Sequence, residues 1–133
     1  MRTLIVEDEY TSRRYLQAVL ASHGECVGID NGEAAVRAFS EALEQGRPFD
    51  LVCMDIMMPG MDGITAVTAM RDTERQHGVR PADEAKILMV TALDDPRTVI
   101  KAYYQAGATS YLTKPIEVEA LAAKLKEMGL QGD

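Results

Sequence analysis

Short apolar runs alternate with longer amphipathic stretches along the chain. The apolar runs cover residues 3–6, 25–29, 49–54, 86–90 and 109–113, and each is followed by apolar residues at helical spacing. Strands that alternate with helices form a parallel sheet, because right-handed crossovers carry each helix across one of its faces. The pattern therefore predicts an α/β fold of five strand–helix units with helices on both faces of the sheet.

Start and stop signals in the sequence set the ends of the predicted helices. Asn31-Gly32, Asp62 and Asp94-Asp95-Pro96 are start signals, whereas Gly24 and Gly107 are stop signals. The helices are predicted over about residues 10–22, 32–46, 62–76, 95–107 and 117–128. In the last two helices we expect one face to point toward the core, formed by Val99, Ile100 and Tyr103, and by Val118, Leu121, Leu125 and Met128.

The third apolar run is the centre of this arrangement. It is continuously apolar from Leu51 to Met54 and ends at Asp55, as is typical of a strand covered on both faces. A turn signal, Pro59-Gly60, and a helix start, Asp62-Gly63, follow. A carboxylate at the end of a buried strand is costly unless a cation or a reaction uses it, so Asp55 is the first candidate functional residue.

Polar residues follow the other strands in the same way. Glu7 and Asp8 follow the first strand, Thr91 the fourth and Lys114 the fifth. Ligands of open parallel sheets bind at the carboxyl ends of the strands, where the fold gathers such residues on one edge. Each residue alone has a structural explanation, as a cap, a turn residue or a surface lysine. Their shared position at strand ends favours a common site.

The chemistry of this set points to phosphoryl transfer. Three crowded carboxylates repel one another, and Mg²⁺, which prefers oxygen ligands, relieves that repulsion. Lys114 and Thr91 offer an ammonium and a hydroxyl to the oxygens of a phosphoryl group. A carboxylate nucleophile, a metal, an ammonium and a hydroxyl together fit transfer of a phosphoryl group to Asp55.

The overall composition excludes several classes of protein. With 133 residues, 47% hydrophobic and 26% charged, the chain is predicted to be one domain over residues 1–133. A net charge of −7 argues against direct nucleic-acid binding. No apolar run approaches the ~18 residues that span a bilayer, so we expect no membrane association and a cytoplasmic location. Cys26 and Cys53 show no metal-binding spacing and are predicted to be reduced thiols.

Four motifs resemble the receiver domain of bacterial two-component response regulators. The similarity runs from Leu4 to Met128 and rests on Leu-Ile-Val-Glu7-Asp8-Glu, Met-Asp55-Ile-Met-Met-Pro-Gly-Met-Asp-Gly, Val-Thr91-Ala and Ala-Gly-Ala-Thr-Ser-Tyr111-Leu-Thr-Lys114-Pro115. The resemblance implies a flavodoxin-like, doubly wound (βα)5 fold with the strand order 2-1-3-4-5. It also implies a phospho-acceptor switch rather than an enzyme, one that catalyses only its own phosphorylation and dephosphorylation.

The resemblance assigns a role to each site residue. Asp55 would accept a phosphoryl group from a phosphohistidine on a histidine kinase or phosphotransfer protein. Mg²⁺ would be bound by Asp8, Asp55 and the backbone carbonyl of Met57, with Glu7 helping directly or through water. Lys114 would pair with the phosphoryl group, and its bond to Pro115 would be cis.

The resemblance also implies a conformational switch. The hydroxyl of Thr91 would swing onto a phosphoryl oxygen, and Tyr111 would turn into the space it leaves. This change would alter the face formed by the fourth helix, fifth strand and last helix, which would bind an unknown protein target. The alternative for Tyr111 is an ordinary half-buried aromatic residue of a strand.

Two departures from the family pattern concern the site itself. Glu7 stands where many members have Asp, which affects metal geometry. Met57 and Leu93 match positions that line the phosphoryl site, and both are apolar. A site with fewer groups to position water should hydrolyse its phosphoryl group slowly, so we predict a long-lived phospho-Asp55.

Three alternatives stay open at this point. A phosphohydrolase with an Asp nucleophile usually has a second Asp two residues later, where this chain has Met57. A receiver-like module that is never phosphorylated should have lost an acidic residue or the lysine, and none is lost. The chain is expected to be a stand-alone, chemotaxis-type regulator, or else a fragment of a longer transcriptional or enzymatic regulator. It is expected to be a monomer or a phosphorylation-dependent dimer.

Overall fold

The central sheet has five parallel strands, and the computed structural model that shows them describes residues 1–92 and 95–130. Their order is 2-1-3-4-5, so the predicted flavodoxin-like α/β fold is confirmed. The strands are β1 (Arg2–Val6), β2 (Glu25–Ile29), β3 (Leu51–Met54), β4 (Lys86–Thr91) and β5 (Ser110–Thr113). Residues 93–94 and 131–133 lie outside the described part of the chain.

The strand register aligns the carboxyl ends of β1, β2 and β3. The last residue of β1, Val6, pairs with Ile29 of β2 on one side and with Met54 of β3 on the other. The ladder continues one residue further, because Glu7 N–H donates to Ile29 O at 3.0 Å and Asp55 N–H donates to Val6 O at 3.0 Å. The backbone thus brings Glu7 and Asp55 to the same edge of the sheet.

Helices cover both faces of the sheet. They are α1 (Tyr10–Leu20), α2 (Gly32–Glu44), α3 (Gly63–Gln76), α4 (Pro96–Ile100) and α5 (Val118–Glu127). Short 3-10 helices cover Ala21–His23 and Pro81–Asp83, and a π-helix covers Lys101–Ala106. Side-chain oxygens cap the starts of the first four α-helices, from Glu9, Asn31, Asp62 and Asp95. Asp94, part of the predicted start signal of α4, lies outside the described residues.

Side chains alternate between the two faces of the sheet and produce two cores. On one face, α2, α3 and the π-helix pack against strand residues that include Leu4, Val6, Val52 and Met54. On the other face, α1 and α5 pack against Ile5, Leu51, Cys53 and Val90. This period of two is the expected consequence of strand geometry. Because both faces of the strands are apolar, the candidate polar residues lie at the strand ends.

The inward face predicted for the fourth helix is wrong at Ile100, which is 56% exposed. Val99 and Tyr103 are half-buried, and the buried residues of this segment are Ala102 and Ala106. The π-helix explains the difference, since its wider turn changes the period on which the predicted face depended.

The inward face predicted for the last helix is wrong at one residue only. Val118 is 50% exposed, whereas Leu121, Leu125 and Met128 are buried. Val118 is the first residue of α5 and lies at the end of the stripe. No helix in the described part of the chain has the length and hydrophobicity needed to cross a membrane.

A buried ion pair joins α3 to two other segments. Arg71 Nη1 lies 2.7 Å from Glu74 Oε1, and only 8% of Arg71 and 1% of Glu74 are exposed. Arg71 also donates to the carbonyl oxygens of Gly107 at 3.0 Å and Ala85 at 2.8 Å. Glu74 Oε2 accepts the N–H of Ala85 at 2.8 Å. These bonds connect α3, the start of β4 and the end of the π-helix.

Removing one member of this pair should destabilise the fold strongly. In Arg71→Met the Glu74 carboxylate keeps its burial but loses its cation, so we expect a loss of about 3–5 kcal/mol in the free energy of unfolding. Urea denaturation of both proteins measures it.

The same helix provides a matched control. Arg75 and Asp72 form an ion pair of the same i,i+3 spacing on the exposed face of α3. Arg75→Met should cost at most about 1 kcal/mol. Equal losses of unfolding free energy in Arg71→Met and Arg75→Met would contradict the stabilising role assigned to the buried pair.

Candidate functional site

Three carboxylates meet at the carboxyl edge of the sheet. Glu7, Asp8 and Asp55 each offer a carboxylate oxygen, and these oxygens lie within 4.8 Å of one another. Glu7 is 1% exposed and Asp55 6%, whereas Asp8 is open to solvent. The cluster is therefore buried on one side and accessible on the other.

Lys114 brings a positive charge to the two buried carboxylates. Its Nζ lies 3.1 Å from Asp55 Oδ2 and also forms a short ion pair with Glu7 Oε1. Lys114 follows the edge strand β5, and its N–H continues the ladder by donating to Thr91 O at 2.8 Å. The long side chain thus reaches across the end of β4 to the carboxylates. The peptide bond between Lys114 and Pro115 is cis.

Both oxygens of Asp55 accept a hydrogen bond. Lys114 donates to Oδ2, and the backbone N–H of Met57 donates to Oδ1 at 3.2 Å. These bonds hold the carboxylate in one orientation at the end of β3. The Met57 side chain points outward and is 61% exposed.

The loop after Asp55 closes back tightly on the strand. Gly63 begins α3, and its N–H donates to Ile56 O at 2.9 Å. A Cβ at Gly63 would overlap the carbonyl oxygen of Asp55, so only glycine fits there. Asp62 caps the helix by accepting the N–H of Thr65 at 2.8 Å. The sequence signal Asp62-Gly63 thus fixes the shape of the loop beside the acidic cluster.

Burial changes the protonation of Glu7. Removal from water raises its pKa from 4.5 to about 7; the bond from Lys114 opposes this rise and the nearby Asp55 adds to it. Burial acts to lower the pKa of Lys114, but its bonds to Glu7 and Asp55 outweigh that effect and raise it. Near neutral pH, Glu7 thus exchanges a proton easily while Lys114 stays charged.

Thr91 and Tyr111 occupy the part of the sheet between the carboxylates and the edge. Thr91 is the last residue of β4 and is 1% exposed. Tyr111 pairs with Met89 across the ladder and is half-buried, with its side chain packed against the core on the α2–α3 face. Leu93, the other apolar position predicted to line the site, lies outside the described residues.

The donor set fits a small divalent cation such as Mg²⁺. All its side-chain donors are carboxylate oxygens, and in the described part of the chain no histidine or cysteine belongs to the cluster. One lysine does not balance three carboxylates, so a net negative charge attracts a cation. The exposure of Asp8 leaves room for the waters that Mg²⁺ retains.

Sequence reasoning missed three contacts of this site. Arg13 Nη1 donates to the carbonyl oxygen of Glu7 at 2.8 Å, and the N–H of Glu9 donates to Glu7 Oε2 at 3.3 Å. The position of Arg13 one helical turn into α1 could have suggested the first contact. The ion pair between Lys114 and Glu7 was likewise not predicted, because strand-end positions define an edge but not pairings along it.

Comparisons with known proteins identify the family. The chain matches the family model of the response regulator receiver domain over residues 3–126. It is 36% identical to the chemotaxis protein CheY of Bacillus subtilis, covering 89% of this chain and 88% of that protein. It is 35% identical to the sensor histidine kinase GacS of Pseudomonas protegens, covering 97% of this chain and 13% of that protein.

A solved structure agrees with this assignment. The receiver domain of the histidine kinase CKI1 from Arabidopsis thaliana, complexed with Mg²⁺, superposes with a TM-score of 0.81 at 32% identity. The match covers 96% of this chain and 90% of that one. The chain spans about half the length of the transcriptional regulators that it matches. In sequence and in structure, the chain belongs to the response regulator receiver domain family.

Proposed function

We propose that this receiver domain is a signalling switch in which Asp55 accepts a phosphoryl group. The donor is a phosphohistidine on a histidine kinase or phosphotransfer protein. The observation that carries this proposal is the position of Asp55: its carboxylate ends a buried strand, lies 3.1 Å from the Lys114 ammonium and shares an acidic cluster with Glu7 and Asp8.

The residues of the chain fit the chemistry of the transfer. An oxygen of Asp55 attacks phosphorus, the bond between phosphorus and the imidazole nitrogen breaks, and its electron pair returns to the imidazole. Lys114 supplies positive charge where phosphoryl oxygens gather, and the Met57 N–H helps to hold the attacking carboxylate.

The acidic cluster is the proposed binding site for Mg²⁺. Asp8, Asp55 and the carbonyl oxygen of Met57 would bind it, and Glu7 would help directly or through a water molecule. A bound Mg²⁺ neutralises negative charge on the transferred group. The Mg²⁺ complex of the CKI1 receiver domain, which has the same fold, supports this proposal.

Thr91 and Tyr111 are the proposed readers of the phosphorylated state. Thr91 ends β4 between the strands that deliver Asp55 and Lys114, and this position supports the proposal that its hydroxyl binds a phosphoryl oxygen. Its movement would let Tyr111 turn inward from its half-buried position. The face of α4, β5 and α5 would then change and bind a downstream protein target.

The proposed role is regulatory rather than enzymatic. Receiver domains act as signalling switches, and this one would catalyse only its own phosphorylation and dephosphorylation. The match to most of CheY from B. subtilis supports a stand-alone, chemotaxis-type regulator, and the match to part of GacS supports a receiver within a longer protein. A single domain over residues 1–133, a monomer or a phosphorylation-dependent dimer, no direct nucleic-acid binding and a cytoplasmic location remain predictions.

The first prediction concerns the phospho-acceptor. Acetyl phosphate with Mg²⁺ should label the protein with about one phosphoryl group per chain, and Asp55→Ala should abolish the label because its nucleophile is gone. Intact-mass spectrometry measures both. Asp72→Ala, which removes an exposed carboxylate from the surface of α3, is the control and should keep the label. Labelling of Asp55→Ala, or sustained turnover of small phosphate esters, would refute the proposal.

The second prediction concerns the pH dependence of metal binding. A proton on Glu7 competes with the cation, and the pKa of Glu7 is raised to about 7. Mg²⁺ affinity should therefore rise about tenfold from pH 6 to pH 8, with proton release on binding. Calorimetry in two buffers of different ionisation enthalpy measures it. Glu7→Gln should show a flatter profile, and an equally steep one would contradict the role of Glu7.

The third prediction concerns the lifetime of phospho-Asp55. The apolar side chain of Met57 offers no group to position water, so the phosphoryl group should hydrolyse slowly. Met57→Asn should hydrolyse it about tenfold faster than Met57→Leu, which preserves size and apolar character. Loss of the label after removal of acetyl phosphate gives the rates. A wild-type protein that loses its label as fast as Met57→Asn would contradict the prediction.

A further inference from the structure

Met57 is the most exposed methionine of the chain. All eight methionines lie among the described residues, and Met57 is 61% exposed. Met1 and Met61 are half-buried. The other five are 0–8% exposed: Met54, Met58, Met70, Met89 and Met128. Because an oxidant must reach sulfur to react with it, exposure selects Met57 from this set.

The surroundings of Met57 leave its side chain open to small molecules. It lines a groove of about 490 Å³ together with Ile56, Met58, Pro59 and Asp62. The groove is formed by a single loop, and its neighbours Met58 and Ile56 are themselves buried beneath it. Water and peroxide can therefore approach the sulfur of Met57 without any opening of the fold.

The same residue contacts the proposed phospho-acceptor. The N–H of Met57 donates to Asp55 Oδ1 at 3.2 Å, so the residue is held beside that carboxylate. A chemical change in the side chain of Met57 therefore takes place in the loop that follows Asp55, on a residue whose backbone is bonded to that carboxylate. Oxidation of Met58 or Met61 would instead affect side chains that pack in or against the core.

We infer that Met57 is a site of reversible oxidation by peroxides and that its sulfoxide shortens the lifetime of phospho-Asp55. The oxidation of Met57 is inferred from its exposure alone, whereas the effect on the lifetime of phospho-Asp55 rests on the proposed function. In the reaction a lone pair of sulfur attacks one oxygen of hydrogen peroxide and the O–O bond breaks. The sulfur is oxidised by two electrons to the sulfoxide, and the peroxide is reduced to water.

The expected effect follows from polarity. A thioether is a weak acceptor, whereas a sulfoxide carries a strongly polar oxygen. Such an oxygen in the loop that follows Asp55 accepts hydrogen bonds from water and brings it toward the phosphorus. Oxidation thus converts an apolar side chain into a polar one that favours hydrolysis, and an oxidising signal would shorten the lifetime of the phosphorylated state.

The site of oxidation is tested first, without phosphorylation. The wild-type protein is treated with dilute hydrogen peroxide, digested after set times, and analysed by mass spectrometry for peptides that gain one oxygen. The Met57 sulfoxide should accumulate at least about tenfold faster than those of Met54, Met70 and Met89. Oxidation of Met57 no faster than that of these buried methionines would overturn the inference.

The effect on signalling is tested on the phosphorylated protein. Wild-type protein and Met57→Leu are each treated with peroxide, labelled with acetyl phosphate and Mg²⁺, and compared with their own untreated samples. Peroxide should speed loss of the label about fivefold in the wild type and leave the rate of Met57→Leu at its own untreated value. Methionine sulfoxide reductases should restore the wild-type rate.

The outcomes separate this inference from the proposed function. If untreated wild-type protein takes no label at Asp55, the proposed function is wrong, and the second half of the inference is wrong with it. If the protein is labelled but oxidation of Met57 leaves the lifetime unchanged, only the inference is overturned. An equal acceleration in Met57→Leu would also overturn it, because the effect would then come from another residue.

Discussion

The rest of the site depends on one constraint, the mutual repulsion of the Glu7 and Asp55 carboxylates. Parallel pairing of β1 with β3 places these carboxylates side by side at a buried edge, where water screens their charges poorly. Lys114 lies between them, and the pKa of Glu7 rises because burial disfavours its charged form. An arrangement in which the charged form of Glu7 is disfavoured is well suited to accept a cation.

The order of the strands determines which residues lie close enough to neutralise these carboxylates. β1 and β3 deliver the carboxylates, β4 ends at Thr91 beside them, and the edge strand β5 delivers the lysine. Only a long side chain reaches from β5 across β4 to Asp55, which explains why a lysine serves at that position. The affinity for a cation and the reach of Lys114 thus follow from the strand order, which the resemblance to the receiver family implied.

The sequence was sufficient for the fold and for the location of the site. The apolar runs have strand length, each ends at a polar residue, and parallel strands must align those ends, so the pattern places Glu7, Asp55 and Lys114 on one edge of the sheet. The strand order that brings them close together was implied by the resemblance to the receiver family. Contacts that depend on side-chain burial could not be predicted. Arg71 and Glu74 have the spacing of an ordinary surface pair, and only the packed fold shows that they are buried. The π-helix was not predicted, because its wider turn has a different period from the α-helical one that was assumed. That assumption placed Ile100 toward the core.

The bonds of Arg71 give the fold a fixed point far from its reactive edge. They attach the end of the π-helix at Gly107 to α3 and to the start of β4, on the side of the sheet opposite the acidic cluster. The helical segment that begins at Pro96 is thus tied to α3 at its far end. The side chains of Ile100 and Tyr104, both exposed, therefore belong to a segment whose attachment to the body of the domain is concentrated at its Gly107 end.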